Sequence, residues 1–536
     1  MTVSPTPLPA TTLRAPARLP ALAAAFARGE HLDLLAPLEL SRGAALPALA
    51  PPAVDRRGLA AGLAATNRYY GHPGVEPLVA KLARPETRVV VTGQQPGLFG
   101  GPLYTLLKAV AAVRWAEALE AAGQPAVAVF WMATEDHDFA EVSEAVLPGA
   151  EGPRRVHLGE DREPLVPVGA RAFGGEVESL LAELAATAGQ PAEAEGWRTL
   201  ARWYRPVAKF GEAFPRLLVH WLGERAPLML DAQLAELKAA EREVLGRLLA
   251  RRREIDRALA AATERVKSRG FEPQVAFSPG EAPIFLLDQG RRRRIEWRGE
   301  DRWTLRGTTG PERPIAELAQ ILADNPLIAS PGVLARPAVQ DAVLGTSLFV
   351  LGPGELSYMA QVAAIYPLLE VAPSTLAFRP QALVLEEKQV GWLAQLGLDL
   401  ATVLGDRGEL DRLLGAGQAT AAAAQAASRV EAELAALREQ ALALDPSLET
   451  PWTKTREQIA RALATFGEKV TAAAARKNEL AHRRVEQLRN LALPGGKLQE
   501  RTIAAAALWC RYGDRLIQAL FEQMDLGEGQ LQVIRL

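Results

Sequence analysis

Four separated stretches of the chain repeat one order of parts: a short apolar run, a break rich in glycine or polar residues, then a helix-like pattern. They are RVVVTGQQPGLFGG (88–101), PAVAVFWMATEDHD (125–138), APLMLDAQ (226–233) and SLFVLGPGELSYMAQ (347–361). Within the runs, apolar residues do not alternate with polar ones. Strands covered on both faces read this way, as in a parallel sheet flanked by crossover helices. The first two runs, with PLYTLLKAVAAVRWAEALEAAG between them, have the size of a βαβ unit. The pattern predicts an α/β, doubly wound core. After the third run, one long helix is expected to end near Gly270.

The sheet segments lie far apart, so other material must be inserted between them. Residues 150–210 hold RRVHLGEDREPLVPVGARAFG and then Ala/Glu-rich helical sequence. Residues 271–325 read as antiparallel strands, with turns near 288–290 and 299–301. Four arginines in a row, 291–294, sit beside the first of these turns and read as a solvated strand edge, with a phosphate or substrate contact as the second reading. The expected layout is a core in three parts (1–150, 211–270 and 329–400), insertions at 151–210 and 271–328, a coiled-coil hairpin at 401–492, and a helix within 493–536 that packs back on the core.

The hairpin is legible from its period. Val430, Leu434, Leu437, Ala441 and Leu444 step by four and three, and so do Ile459, Leu463, Phe466, Val470, Ala473, Lys477 and Leu480. Asp445-Pro446 stops the first helix, because a residue before proline is pushed out of the helical region. Thr450 is expected to cap the second helix, with Pro451 at its first position. Two limbs of ~30–38 residues, over roughly 416–491, would each span ~45–57 Å. So long an arm has a narrow core, and a second copy of the same hairpin is the simplest partner.

Composition excludes several classes. With 49% hydrophobic and 23% charged residues, 536 residues suffice for a large core without metals or disulfides. The formal net charge of −2 argues against a general nucleic-acid binder. The single cysteine, Cys510, permits no internal disulfide and no Cys-based zinc cluster; in AAAALWCRYG it reads as a buried, inert thiol. The Pro- and Thr-rich start lacks a secretory apolar core, and no apolar run approaches the ~18–20 residues of a membrane span. A soluble cytoplasmic protein is expected.

Two strand tips carry chemistry. Glu135, Asp136, His137 and Asp138 follow directly on a buried run. Burying an unpaired ion costs several kcal/mol, against a total stability of ~5–15 kcal/mol, so these groups must lie at an edge, in pairs, or on a ligand. The carboxyl end of a parallel strand meets that need, and ligands bind there. Clustered carboxylates would raise the pKa of His137. Such a group can act as acid or base, hold a cationic amine, or bind a metal. The turn after residue 91 is the facing wall: glycines at 93, 97, 100 and 101 let backbone amides approach an anion at a helix start. Its candidate substrate contacts are Thr92, Gly93, Gln94, Gln95, Gly100 and Tyr104, with Glu135 from the acidic tip. Lys108, four residues after Tyr104, reads equally as a surface lysine or a ligand contact. Around the fourth tip, Glu355 and Tyr358 join Arg336, Gln340 and Asp341 of LARPAVQD, where Arg336 suits a carboxylate.

TGQQPGLFGGPLYTLLKA, VAVFWMATEDHDFAEV, LARPAVQD with GPGELSYMAQ, and LPGGKLQER together resemble the bacillithiol-biosynthesis cysteine-adding enzyme family, from about residue 85 to the C-terminus. Gly101 stands where that family's turn would carry Thr. The resemblance implies a Rossmann-like core with two connecting-peptide insertions and a C-terminal coiled coil that makes a homodimer. It implies a ligase joining the carboxyl of L-cysteine to the amine of glucosaminyl malate, with ATP or ADP as nucleotide; a metal requirement stays open. Asp136, His137 and Asp138 are then expected to orient the ammonium and accept its proton. Lys108 and Lys497 are the candidate nucleotide contacts. HIGH and KMSKS signatures are absent, so synthetase-type adenylate chemistry does not carry over. The alternatives are a ligase for another amino acid and amine, and a non-catalytic nucleotide-sensing dimer.

Overall fold

The computed structural model describes residues 13–42, 54–149, 152–187, 195–415, 418–477, 479–526 and 529–536. The chain divides into two compact units: Pro16–Leu385 with Gly495–Leu536, and Met1–Ala15 with Glu386–Pro494.

The first unit is built on a six-stranded sheet. In chain order its strands are β1 (Glu39–Ser41), β2 (Arg88–Gln94), β3 (Ala126–Met132), β4 (Leu228–Asp231), β5 (Thr346–Leu351) and β6 (Thr375–Phe378). Their spatial order is β1-β6-β5-β2-β3-β4, and every pairing is parallel. The four apolar runs are β2 to β5. All seven residues of β3 and all six of β5 are buried, as uninterrupted runs require. β1 and β6 are short, and no sequence signal marked them. Helix α1 (Leu103–Ala121) makes the crossover from β2 to β3. Its apolar residues go almost all the way round, so it is buried on most sides.

The long helix expected after β4 is two helices, α2 (Ala235–Ala250) and α3 (Arg252–Ser268). Arg251, at φ −99° and ψ 20°, breaks the run without proline or glycine. The first insertion opens with an antiparallel pair, Glu144–Leu147 with Arg154–His157, and continues in helices ending at Leu222. The second is a five-stranded antiparallel sheet over 281–331. Its first hairpin turns at Gln289 (φ 48°) and Gly290 (φ 77°), where the sequence placed a turn. Helices α4 (Arg336–Leu344) and α5 (Pro353–Val362) flank β5.

The C-terminal segment is more than one helix. It runs through Gln499–Thr502, Ala505–Tyr512 and Asp514–Gln523, and ends in a strand, Gln530–Arg535, parallel to Gln381–Leu385.

The second unit contains the hairpin. Its limbs are Gln418–Leu444 and Glu449–Lys477, and a further helix, Glu479–Ala492, follows; residues 416–417 and the side chain of Lys477 lie outside what the structure describes. Asp445, not Thr450, does the capping at the bend: its carboxylate accepts from the Ser447 amide at 2.8 Å.

Candidate active site

β2 and β3 run side by side to their carboxyl ends, where Gly93 faces Trp131. A Cβ at Gly93 would stand 2.6 Å from the Trp131 carbonyl oxygen, so this tip requires glycine. Beyond it the chain folds through Phe99 (φ 53°), Gly100 (φ 85°) and Gly101 (φ 70°) before entering α1. The tips of β2 and β5, the start of α1 and the start of α5 enclose a cavity of about 390 Å³.

Eight of the candidates line it: Gly93, Gln94, Gln95, Tyr104, Lys108, Arg336, Glu355 and Tyr358. Lys108 is buried and its three donors are committed. It bonds Gly93 O at 2.7 Å and Gln94 Oε1 at 3.0 Å, and it pairs with Glu355. Burial pushes its pKa down, and Glu355 opposes that shift. Glu355 also accepts from the Gly352 amide at 2.8 Å, which ties the start of α5 to the cavity wall. Arg336 donates to Gln340 Oε1 at 2.8 Å and to the Tyr358 hydroxyl at 3.2 Å, and it has no carboxylate within 4 Å among the described residues. Burial raises the Tyr104 and Tyr358 hydroxyls to about 12, so both remain hydrogen-bond donors near neutral pH.

The remaining candidates serve the fold around the cavity. Thr92 donates to Val350 O at 2.8 Å, across β2 and β5. Gly100 packs under Trp221, and its amide meets the Tyr204 hydroxyl at 3.1 Å. Gln340 is buried behind Arg336. Asp341 is buried and accepts from the Tyr366 hydroxyl at 2.8 Å and the Ser374 amide at 3.0 Å. Lys497 lines a second cavity, of about 210 Å³, with Gly97, Gly101 and Arg155.

None of residues 135–138 lines the larger cavity. Glu135 turns to Lys238 of α2 at 2.6 Å, and Glu241 meets the same ammonium at 2.9 Å. Burial works against the Lys238 charge, but the two carboxylates hold its pKa above the ordinary value. Burial pushes the Glu241 pKa up to about 7; Lys238 opposes the rise, and the neighbouring Glu135 carboxylate adds to it. Asp136 accepts from Gln95 Nε2 at 2.6 Å and from the His137 amide at 2.7 Å, bracing Gln95 from behind. His137 lies against Phe285 of the second insertion, with Arg292 Nη1 3.4 Å from its Nδ1. Its pKa is lowered, first by burial and then by Arg292; the rise expected from Asp136 and Asp138 is outweighed. Asp138 caps the short helix Phe139–Val142 through the Glu141 amide at 3.2 Å.

The arginine run is also corrected. Arg292 is buried, with its guanidinium 3.8 Å over the Phe285 ring and hydrogen bonds of 2.9 Å to both Ser330 Oγ and Pro331 O.

Four residues with polar or charged side chains that line the cavity carry no expectation from the sequence: Glu141, Gln274, Arg379 and Arg501. Glu141 follows Asp138 by three residues, about one helical turn, a spacing that returns it to the same side. Arg501 follows the LPGGKLQ turn and is carried to the cavity by the docking of the C-terminal segment: Leu103 N bonds Ile503 O at 2.8 Å, and Ala505 N bonds Gly101 O at 2.9 Å. Arg379 and Gln274 carry no local signal.

A parallel sheet with a charged cavity at its carboxyl edge, closed by insertions and a returning C-terminal segment, defines a Rossmann-like α/β protein built to hold a small polar molecule. Residues 45–380 match the family model described as "Bacillithiol biosynthesis BshC, N-terminal Rossmann-like domain", and residues 382–536 match "Bacillithiol biosynthesis BshC, C-terminal coiled-coil domain". The chain belongs to the BshC family. Its match begins some forty residues before the motifs first resemble that family, and the second model includes residues 495–536, which pack with the sheet unit. Relatives named "Putative cysteine ligase BshC" include one from Thermus thermophilus, 33% identical, covering 82% of this chain and 87% of the relative. Those from Symbiobacterium thermophilum (30% identical, 89% of each chain) and Geobacillus kaustophilus (28%, 90% of each) match along nearly the whole length.

Proposed function

We propose that this protein is a ligase of bacillithiol biosynthesis, joining the carboxyl of L-cysteine to the amine of glucosaminyl malate with ATP as the activating nucleotide. The family and the names of its relatives support the ligase and the pathway. The observation that carries the substrate class is the charge left unpaired around the cavity. Lys108 is neutralised by Glu355, and Arg379 by Glu500. Arg336 and Arg501 line the same cavity and have no carboxylate within 4 Å among the described residues. Two unpaired guanidinium groups suit substrates that carry carboxylates, as cysteine and a malate conjugate both do.

In this reading the second cavity takes the nucleotide. Lys497 and Arg501 face its phosphates, and the Gly97–Gly101 approach, where a Cβ on Gly97 would stand 2.8 Å from the Gly101 Cα, leaves the backbone bare beside them. Lys108, with every donor committed, braces the wall and does not hold phosphate. Asp136, His137 and Asp138 position Gln95 and the 133–141 loop. The protein works as a homodimer through its hairpin, in the cytoplasm, where Cys510, pushed up to about 12 by burial, stays a thiol.

The test is direct. The purified protein given L-cysteine, glucosaminyl malate and ATP should yield bacillithiol by mass spectrometry. Arg336→Ala should raise KM for a carboxylate substrate by about tenfold to a hundredfold, as loss of a charge-assisted hydrogen bond of ~1.5–3 kcal/mol implies. Preferred ATP turnover with another amino acid would replace the cysteine assignment, and nucleotide binding without product under any substrate pair would end the ligase reading.

A further inference from the structure

The two cavities share a wall, and Glu141 and Arg501 both border each of them. Glu141 stands on the single turn Phe139–Val142, whose start is pinned by Asp138. Its carboxylate approaches Gln94 Nε2 at 3.4 Å and makes no ion pair within 4 Å among the described residues. Every other carboxylate on these walls is occupied. Glu355 serves Lys108 and the Gly352 amide, and Glu144, in the smaller cavity, pairs with Arg155. The side chain is accessible from the cleft but flanked by its walls, and that enclosure, with Asp136 and Asp138 nearby, pushes its pKa up to about 7. A carboxyl poised there is half ionised at neutral pH, which suits a group that must both accept and release a proton.

We propose that Glu141 is the catalytic base of the amide-forming step: it receives the substrate's ammonium group at the wall between the cavities and takes a proton from it. This rests on the ligase reading. One proton of the ammonium passes to the Glu141 carboxylate, which frees the nitrogen lone pair. That pair attacks the carbonyl carbon of the aminoacyl group, already activated by the nucleoside triphosphate. The C–N bond forms as the C–O bond to the phosphate-bearing leaving group breaks, with its electron pair staying on that oxygen. The second nitrogen proton leaves with the phosphate. Arg501, on the same wall, faces the charge that develops on the leaving oxygen.

Glu141→Gln keeps the shape and removes the base. Two readouts are compared with the unmodified protein: turnover with L-cysteine, glucosaminyl malate and ATP, and calorimetric binding of glucosaminyl malate alone at pH 6, 7 and 8. The expected result is a kcat lower by about 10²–10⁴-fold, loss of the rise in kcat/KM through pH 7, and amine binding that no longer tightens with pH, at an unchanged melting temperature. Glu141→Asp should recover part of the rate. Amide formation by both proteins at the same rate and with the same pH profile overturns the assignment and leaves the ligase reading standing. Absence of amide from the unmodified protein, with amine binding still dependent on Glu141, removes the cysteine reaction and keeps Glu141 as the amine's partner.

Discussion

Arg292 shows how a single side chain can link an insertion to the sheet edge. It belongs to a strand of period two, so alternate arginines of the 291–294 run go to opposite faces; Arg291 is exposed and Arg292 buried. Composition gives the same reading to both, which is why the run looked like a solvated edge. The buried guanidinium lies 3.5 Å from Asp136 Oδ1 as well as beside His137. It therefore helps to keep His137 neutral. The lowered His137 pKa has a consequence for stability. Between its native value and 6.5 the unfolded chain binds the extra proton, so stability falls as pH drops through that window and is fully present above it. Arg292→Gln should raise the His137 pKa and narrow the window. Titration of the imidazole resonances by NMR measures this; an unmoved His137 midpoint would show that burial alone sets it. Residue identity was legible where spacing fixed a face, as for Tyr104 and Lys108 one turn apart. It was not legible for Glu135, because its partner Lys238, shared with Glu241, lies 103 residues away and only the fold brings them together.

At the scale of elements, apolar runs gave β2 to β5 because a doubly covered strand needs nothing but apolar residues. The edge strands β1 and β6 are three and four residues long, too short for a period to show. For the C-terminal segment the sequence predicts a helix that packs back on the core and one candidate contact, Lys497. The segment's chief function in the structure lies one and two positions before Arg501. Gln499 Oε1 accepts from the Val384 amide at 2.8 Å, and its Nε2 donates to Val384 O at 3.2 Å. Glu500 forms a bidentate pair with Arg379 at 2.7 and 2.9 Å, both side chains fully buried, and also accepts from the Ala382 amide at 3.0 Å. These bonds hold Arg501 over the cavity. Glu500→Ala leaves Arg379 buried without a counter-charge and should cost about 3–5 kcal/mol, read as a lowered denaturant midpoint. Arg501→Ala, on an accessible side chain, should move that midpoint by no more than ~0.5 kcal/mol while weakening nucleotide binding. Equal midpoints for the two variants would show that the buried pair does not anchor the segment.

For the molecule as a whole, no helix among the described residues is long and apolar enough to cross a membrane, and the arm keeps several large apolar side chains exposed. The heptad reading placed Leu437, Leu444 and Phe466 in the seam between limbs. The structure drifts off that register. Arg438 sits partly covered beside Leu434, bonded to Glu449 at 2.9 Å, while Leu437, Leu444 and Phe466 are 54%, 85% and 63% exposed. A straight helix loses about 20° per heptad against a 3.5-residue repeat, so a seven-residue pattern cannot keep every member on one side. Leu480, another member of the pattern, is 58% exposed, so four side chains per chain are displaced. Separately, the limbs border a groove of about 470 Å³ lined by alanines, Ser428, Glu431, Leu463, Gly467 and Thr471. Across a symmetric dimer the displaced side chains contribute on the order of 10 kcal/mol if fully covered. Association costs about 4–15 kcal/mol, so the groove must also be filled for the dimer to be stable. In the proposed dimer, that requirement makes association sensitive to a charge introduced at Phe466. Phe466→Glu, which removes an anchor and sets an anion against its symmetry mate's surface, should convert the protein from twice its chain mass of 57.6 kDa to a monomer in sedimentation equilibrium at micromolar concentration. A monomeric unmodified protein, or a variant that stays dimeric, would place the self-association surface elsewhere and leave the arm's apolar face to a different partner.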